Sequence, residues 1–168
     1  MPVSDQALEP ERYRLIPRTL IFITSGEEIL LLRGAMDKVR WPDRYNGIGG
    51  HLERGEDLIA SAKRELFEET GIEADSLWLC GILVVDTGED LGVVVFIFKG
   101  ESPRRKLRSS PEGTPEWVHI SKLPDLPLVE DLSMLLPRVL KAHNGEFAFM
   151  AYSHYLANGE LSLEFEKQ

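Results

Sequence analysis

Apolar runs of strand length, set apart by glycine, proline and acidic residues, occupy most of the chain. Residues 18–24 (RTLIFIT) and 29–33 (ILLLR) are two such runs, and the Ser25-Gly26-Glu27-Glu28 segment between them predicts a hairpin. Residues 77–86 and 91–99 repeat the arrangement around Thr87-Gly88-Glu89-Asp90. Positions 93–98 are apolar throughout, which predicts a strand covered on both faces. A short strand is expected over 116–120. The chain closes with runs at 146–156 and 160–165 joined by Asn158-Gly159, the strongest short hairpin signal it contains.

Two stretches change period. Residues 58–70 hold no proline or glycine, follow Asp57 as a predicted N-cap, and stop at Gly71, which suits the left-handed position after a helix. Ile59, Ala62, Leu66 and Thr70 form the stripe of this helix that can pack on a core. A second helix is predicted over 129–143, with Leu132, Leu135, Leu136, Val139 and Leu140 on its buried side. Pro137 inside it predicts a kink or a split into two pieces. Residues 1–16, punctuated by Pro2 and Pro10 and ended by Pro17, read as an irregular arm, which leaves 17–168 as a single domain. Several strands with only two helices predict an α+β chain whose mixed sheet is covered on both sides.

The first helix carries the chemistry. At about 100° per residue, Glu65, Glu68 and Glu69 fall on one face, because they are spaced i, i+3 and i+4. Such a face is ordinarily a solvated one. Here the like charges oppose one another, and Arg64, four residues before Glu68, is the obvious partner within the helix. A divalent cation would remove the repulsion. Oxygen-only ligands suit Mg²⁺ or Mn²⁺, and carboxylates around Mg²⁺ commonly also hold substrate phosphates.

Composition limits the partners. The 168 residues suffice for one domain with a proper core, and a hydrophobic fraction of 43% with 28% charged residues is that of a soluble globular protein. A net charge of −9 argues against general attraction to nucleic acid or anionic lipid, so an anionic substrate needs metal ions and local basic groups. Cys80 is the only cysteine and sits in an apolar run, which predicts a buried, inert thiol. The N-terminus is not a secretory signal and the longest apolar run is too short to span a membrane, so a cytoplasmic protein is expected. Arg104, Arg105, Lys106 and Arg108 cluster in a polar loop over 100–116, which reads as solvated ahead of phosphate-binding.

The pattern G-x5-E-x7-R-E-U-x-E-E-x-G-U, with U aliphatic, is met at Gly50, Glu56, Arg64, Glu65, Leu66, Glu68, Glu69, Gly71 and Ile72. Residues 50–72 therefore resemble a complete Nudix box. The resemblance implies an α/β/α sandwich with a loop-helix-loop catalytic motif. It also implies hydrolysis of a pyrophosphate bond in a nucleoside diphosphate linked to some group X, with Mg²⁺ or Mn²⁺ required. Glu65 and Glu69 match the main metal-ligand positions, Glu68 a further one, and Gly50 a position whose carbonyl also binds metal. Arg64 and Glu56 match supporting positions. Glu112 lies where several relatives carry a distant ligand or base, and which glutamate acts as the base stays open.

Asn46-Gly47-Ile48-Gly49-Gly50, followed by the box, Glu112 and Trp117-Val118, resembles the branch that acts on oxidised purine nucleoside triphosphates such as 8-oxo-dGTP. By that resemblance Asn46 reads a purine edge, and Asp131 (or Glu130) is a second base-reading acid. The branch's stacking aromatic is replaced by Leu128 or Val129, with Trp41, Tyr45 and Trp78 as candidate substitutes. ADP-ribose, sugar nucleotides and dinucleoside polyphosphates are alternative substrates, and a non-catalytic nucleotide sensor is a further alternative. RNA 5′ ends are disfavoured by the acidic charge, which leaves a small-molecule nucleotide as the expected partner. The oligomeric state is left open.

Overall fold

Alternation along β1 (Arg14–Ser25) sends Ile21 and Ile23 to one face of a sheet and Leu20 and Phe22 to the other, and the rest of the molecule is layered on those two faces. The computed structural model describes residues 11–37, 39 and 41–166. After β1 come β2 (Glu28–Gly34), β3 (Tyr45–Asn46), helix α1 (Leu58–Thr70), β4 (Ser76–Val85), β5 (Leu91–Glu101) and β6 (Gly113–His119). A 3-10 turn over Ile120–Asp125, helix α2 (Leu132–Lys141), β7 (Phe149–Tyr155) and β8 (Leu161–Phe165) complete the chain.

The sheet runs β3-β2-β1-β5-β4-β7-β8, with β6 paired to β2. The β1/β5 and β4/β7 pairs are parallel and the others antiparallel, so the sheet is mixed, as expected. On one face α1 lays Ala62 and Leu66 against Ile21, Ile23, Leu30 and Phe98. On the other, α2 lays Leu132, Leu135, Leu136 and Val139 against Phe22, Leu31, Leu83 and Ile97. β5 feeds both clusters, Phe98 to the first and Ile97 to the second, which is why its run is apolar at every position. This is the α/β/α sandwich.

β1 and β2 pair only beside their hairpin, from Ile23↔Leu30 to Ser25↔Glu28. Below that point they part, and the glycine-rich segment after β3 enters the fork. Ile21 N donates to Ile48 O at 2.6 Å and Thr19 N to Gly50 O at 2.9 Å. A Cβ on Gly49 would overlap the backbone of Thr19, so only glycine permits this approach. The fork thereby delivers residues 46–51 to the end of the sheet where α1 begins.

Several boundaries differ from expectation. Of the irregular arm expected over 1–16, residues 1–10 lie outside the described residues. Arg14, Leu15 and Ile16 belong to β1, paired with Leu91, Gly92 and Val93. α2 is a single helix through Pro137; Ser133 and Pro137 are both exposed, so the carbonyl left without its donor faces water and no split results. β7 starts at Phe149 because Glu146 closes a turn, its N–H bonding His143 O and its carboxylate accepting from His143 N. Ile59 is 38% exposed, and its neighbour Leu58 packs on the α1 cluster instead. No helix among the described residues is long and apolar enough to cross a membrane.

Leu66, fully buried between α1 and the sheet, anchors α1. Leu66→Ala is expected to cost about 2–5 kcal/mol in urea unfolding with an unchanged m-value. A loss below 1 kcal/mol would show that the helix is held by something else.

Candidate active site

Local chemistry sets the ends of α1. Asp57 Oδ1 accepts from Ala60 N at 2.8 Å, and Gly71 adopts a left-handed φ of 74° while its N–H bonds Phe67 O. Between these caps the three glutamates are graded by depth. Glu69 is 5% exposed and accepts from Gly49 N at 3.3 Å. The Glu65 side chain is 13% exposed and that of Glu68 57%. A Cβ on Gly50 would fall on the Glu65 carboxylate, so the missing side chain makes the space that Glu65 fills. One lone pair of the Gly50 carbonyl is taken by Thr19 N.

Arg64 ties this face together. Its Nη2 and Nε donate to the two oxygens of Glu56 at 2.8 and 3.1 Å. Nη1 reaches Glu65 Oε1 at 2.9 Å and Glu68 Oε2 at 3.2 Å, and Nη2 also meets His51 O at 3.2 Å. The hydrogen bonds from Arg64, followed by one from Glu53 N, lower the Glu56 carboxyl from 4.5 to about 2. The same partners, Glu56 first, raise the pKa of the Arg64 guanidinium still further.

A cavity of about 1050 Å³ gathers the residues singled out from the sequence: Arg64, Glu65, Glu68, Glu69 and Gly50 from the box region, with Asn46, Glu112, Glu130 and Asp131. Asp131 stands at the N-cap of α2, yet its side chain caps nothing. Burial, and then the charge of Glu130, raises its carboxyl above its ordinary value, against the backbone N–H groups of Asp131 and Leu132, which lower it. Asn46 Oδ1 accepts from Gly47 N at 2.8 Å, so its NH₂ is the part best placed to serve a ligand.

Of the three candidate aromatic substitutes, only Trp41 lines the cavity, half-exposed and with a left-handed φ of 54°. Tyr45 is buried and donates to Glu116 Oε2 at 2.8 Å. Trp78 packs on the α2 cluster, and Val129 lies inside it with Leu128 against it. Sequence reasoning missed Tyr155, which lines the cavity and donates to Glu130 Oε2 at 3.5 Å, and the apolar wall of Leu20, Val85, Val93, Val95 and Leu161. The alternation of Val93 and Val95 along β5 carried that signal, but the fully apolar run masked it.

None of the basic cluster lines the cavity. Arg104 pairs with Glu73 at 2.7 Å and Arg105 with Glu28 at 2.6 Å, so these side chains are paired rather than simply solvated. Cys80 is buried and its thiol is pushed up to about 12, chiefly by burial, which makes it inert as expected.

Among the described residues, no group of three or more His, Cys, Asp or Glu side chains is gathered closely enough to hold a metal ion. Arg64 engages Glu65 and Glu68, while Glu69 bonds Gly49 N. The donor set still fits a hard dication: it is all oxygen, and Glu65 fills the space left by the missing Cβ of Gly50.

The NUDIX domain family model matches residues 14–139. The chain belongs to the NUDIX family. It is 31% identical over 134 residues to the oxidized purine nucleoside triphosphate hydrolase of Mus musculus, covering 78% of this chain and 85% of that protein. A MutT protein from Bacillus halodurans superposes with a TM-score of 0.74 at 26% identity, covering 90% of this chain and 98% of that one. The NUDIX domain of Shewanella oneidensis NrtR, solved with ADP-ribose, shares the fold with a TM-score of 0.65 at 13% identity, over 84% of this chain and 98% of that one. The NUDIX chain described here is thus an enzyme, a pyrophosphohydrolase.

The Arg64–Glu56 pair makes stability depend on pH. The Glu56 carboxyl lies at about 2 in the fold against 4.5 ordinarily, so its contribution is complete above about 4.5 and is lost as pH falls toward 2. Melting temperatures across that window should fall less steeply in Glu56→Gln than in the wild type. Equal slopes would remove Glu56 from the acid limb.

Proposed function

We propose that this NUDIX enzyme is a divalent-metal-dependent hydrolase of nucleoside diphosphates linked to a group X, with oxidised purine nucleoside triphosphates of the 8-oxo-dGTP type as its substrate class. The observation that carries this is the sharing of one cavity by the acidic face of α1 and by Asn46, Asp131 and an apolar wall. The named activity of the mouse relative supports the same substrate class.

In this reading Glu65, Glu68, Glu69, the Gly50 carbonyl and Glu112 would hold Mg²⁺ or Mn²⁺. A bound dication neutralises the phosphate chain and acidifies water. Arg64 orients Glu65 and Glu68, and Glu56 holds Arg64 through both of its oxygens. Glu112, which lines the same cavity from the loop before β6, serves as the distant ligand or base, and the identity of the base among the glutamates stays open. Asp131 and Asn46 read the purine edge, the Asn46 NH₂ as a donor because its Oδ1 is taken by Gly47 N. Leu20, Val93 and Val95 exclude water behind the base.

ADP-ribose is the second reading. The cavity, at about 1050 Å³, stands at the upper end of the roughly 300–1,000 Å³ usual for small-molecule sites, and the S. oneidensis domain was solved with that ligand. A sensor without catalysis is the weaker alternative, because every box glutamate is present.

The test is product release from 8-oxo-dGTP, dGTP, a pyrimidine triphosphate and ADP-ribose, with Mg²⁺ and with Mn²⁺. Glu65→Gln and Glu69→Gln should each lower kcat by at least about a hundredfold. Millimolar Mg²⁺ should raise the wild-type melting temperature but not that of the double variant. Near wild-type kcat in either single variant would displace the metal from α1. Asn46→Ala should raise KM for 8-oxo-dGTP and narrow its margin over the other nucleotides, by about 1–3 kcal/mol. An unchanged ranking would end the oxidised-purine reading and leave the NUDIX assignment in place.

A further inference from the structure

The basic cluster is left over from the chemistry of the cavity, yet it is held in place. Arg104 and Arg105 fasten the start of the loop after β5 to Glu73 and Glu28, and the Arg105 guanidinium lies 4.7 Å from the centre of the Trp117 ring. Arg108 fastens it to α1 itself. Its backbone N donates to Thr70 O at 2.9 Å and its Nη2 to Phe67 O at 3.0 Å. The guanidinium also lies 5.1 Å from the centre of the half-exposed Phe67 ring. The last turn of α1 has no basic residue of its own, so Arg108 brings to the carbonyl end the positive charge the helix lacks. Gly71 leaves room for it: a Cβ there would come within 3.3 Å of Arg108 Cβ.

Four residues further on, the same loop reaches the active site. Ser110 and Gly113 exchange backbone hydrogen bonds of 3.1 and 3.2 Å, and Glu112 N donates to Ser110 Oγ at 3.2 Å. Ala35 N bonds Glu112 O at 3.3 Å, and Ser110, Pro111 and Glu112 line the cavity. Four residues of extended chain span at most about 14 Å, so the turn cannot drift far once Arg108 is fixed.

We propose that Arg108 is a positioning residue that sets Glu112 relative to the glutamates of α1, the loop acting as a brace between the two halves of the catalytic set. The proposal rests on the reading of Glu112 as a member of that set. Its geometry is specific: Arg108 donates both bonds, and the accepting carbonyls, Phe67 O and Thr70 O, belong to the helix that carries Glu65, Glu68 and Glu69, so helix and loop acid are held by one residue.

The experiment is a double-mutant cycle on the full-length chain with saturating Mg²⁺ and with 8-oxo-dGTP and ADP-ribose assayed in parallel. It compares the wild type, Arg108→Ala, Glu112→Gln and the double variant, and adds Arg108→Lys. Arg108→Ala should lower kcat on the order of tenfold with KM within about twofold, the scale of a misplaced catalytic group. Arg108→Lys, which keeps a donor for Phe67 O, should recover part of the loss. The double variant should be no slower than Glu112→Gln alone. Hydrogen exchange over residues 109–113 should quicken in Arg108→Ala without global unfolding, a readout that needs no activity. A double variant slower by the product of the single losses would place the action of Arg108 elsewhere and overturn the proposal. So would wild-type kcat or unchanged exchange in Arg108→Ala. Wild-type kcat in Glu112→Gln would instead refute the reading of Glu112 and take the brace with it.

Discussion

Everything at the active end of this molecule depends on one guanidinium. The acidic face of α1 places like charges on a rigid cylinder, with Glu69 buried and Glu65 nearly so. Arg64 offsets that repulsion from within the helix, but a lone arginine would be free to choose among three carboxylates. The two bonds from Glu56 remove the choice, because a forked pair fixes the plane of the guanidinium and so the direction of Nη1 toward Glu65 and Glu68. Glu56 is therefore a structural acid: its charge is spent on orientation. Arg64 takes one oxygen of each of these carboxylates, Glu65 Oε1 and Glu68 Oε2.

The second constraint is backbone crowding at the fork between β1 and β2. The segment carrying Asn46, Gly49 and Gly50 pairs with β1 at a distance that Gly49 must meet without a Cβ, and Gly50 must leave space for the Glu65 carboxylate. Glycine there serves two surfaces at once, sheet pairing on one side and the acidic helix on the other. This links Asn46, which lines the cavity, to the helix through a few residues of well-bonded backbone. A change in either glycine would move both.

The helix and its caps were legible in the sequence because capping is local: Asp57, Gly71 and the interval between them are read within a few residues, and Leu58–Thr70 is the helix found. The hairpins were legible for the same reason, since turn chemistry and strand pattern agree. What sequence spacing could not order was depth. Glu65, Glu68 and Glu69 look equivalent on a helical wheel, but the sheet buries Glu69 and leaves Glu68 half in water. Nor could it foresee that Tyr45, a candidate aromatic substitute, would be committed to Glu116 across the sheet, or that the basic cluster would pair with acids from β2 and the segment after α1. These are contacts between residues far apart in sequence, and propensity carries no information about them.

The electrostatics of the cavity follow from the same arrangement. A chain of net charge −9 repels a nucleotide at long range, so recognition must come from groups that do not add to that charge at contact. Asp131 is the group in the cavity that carries its negative charge less readily than an ordinary carboxylate, through burial first and then Glu130. The backbone N–H groups of Asp131 and Leu132 act the other way and favour the carboxylate. Glu130, beside Asp131, adds to that rise and itself accepts from Tyr155. The two neighbouring acids thus differ in their electrostatics through burial rather than through residue type.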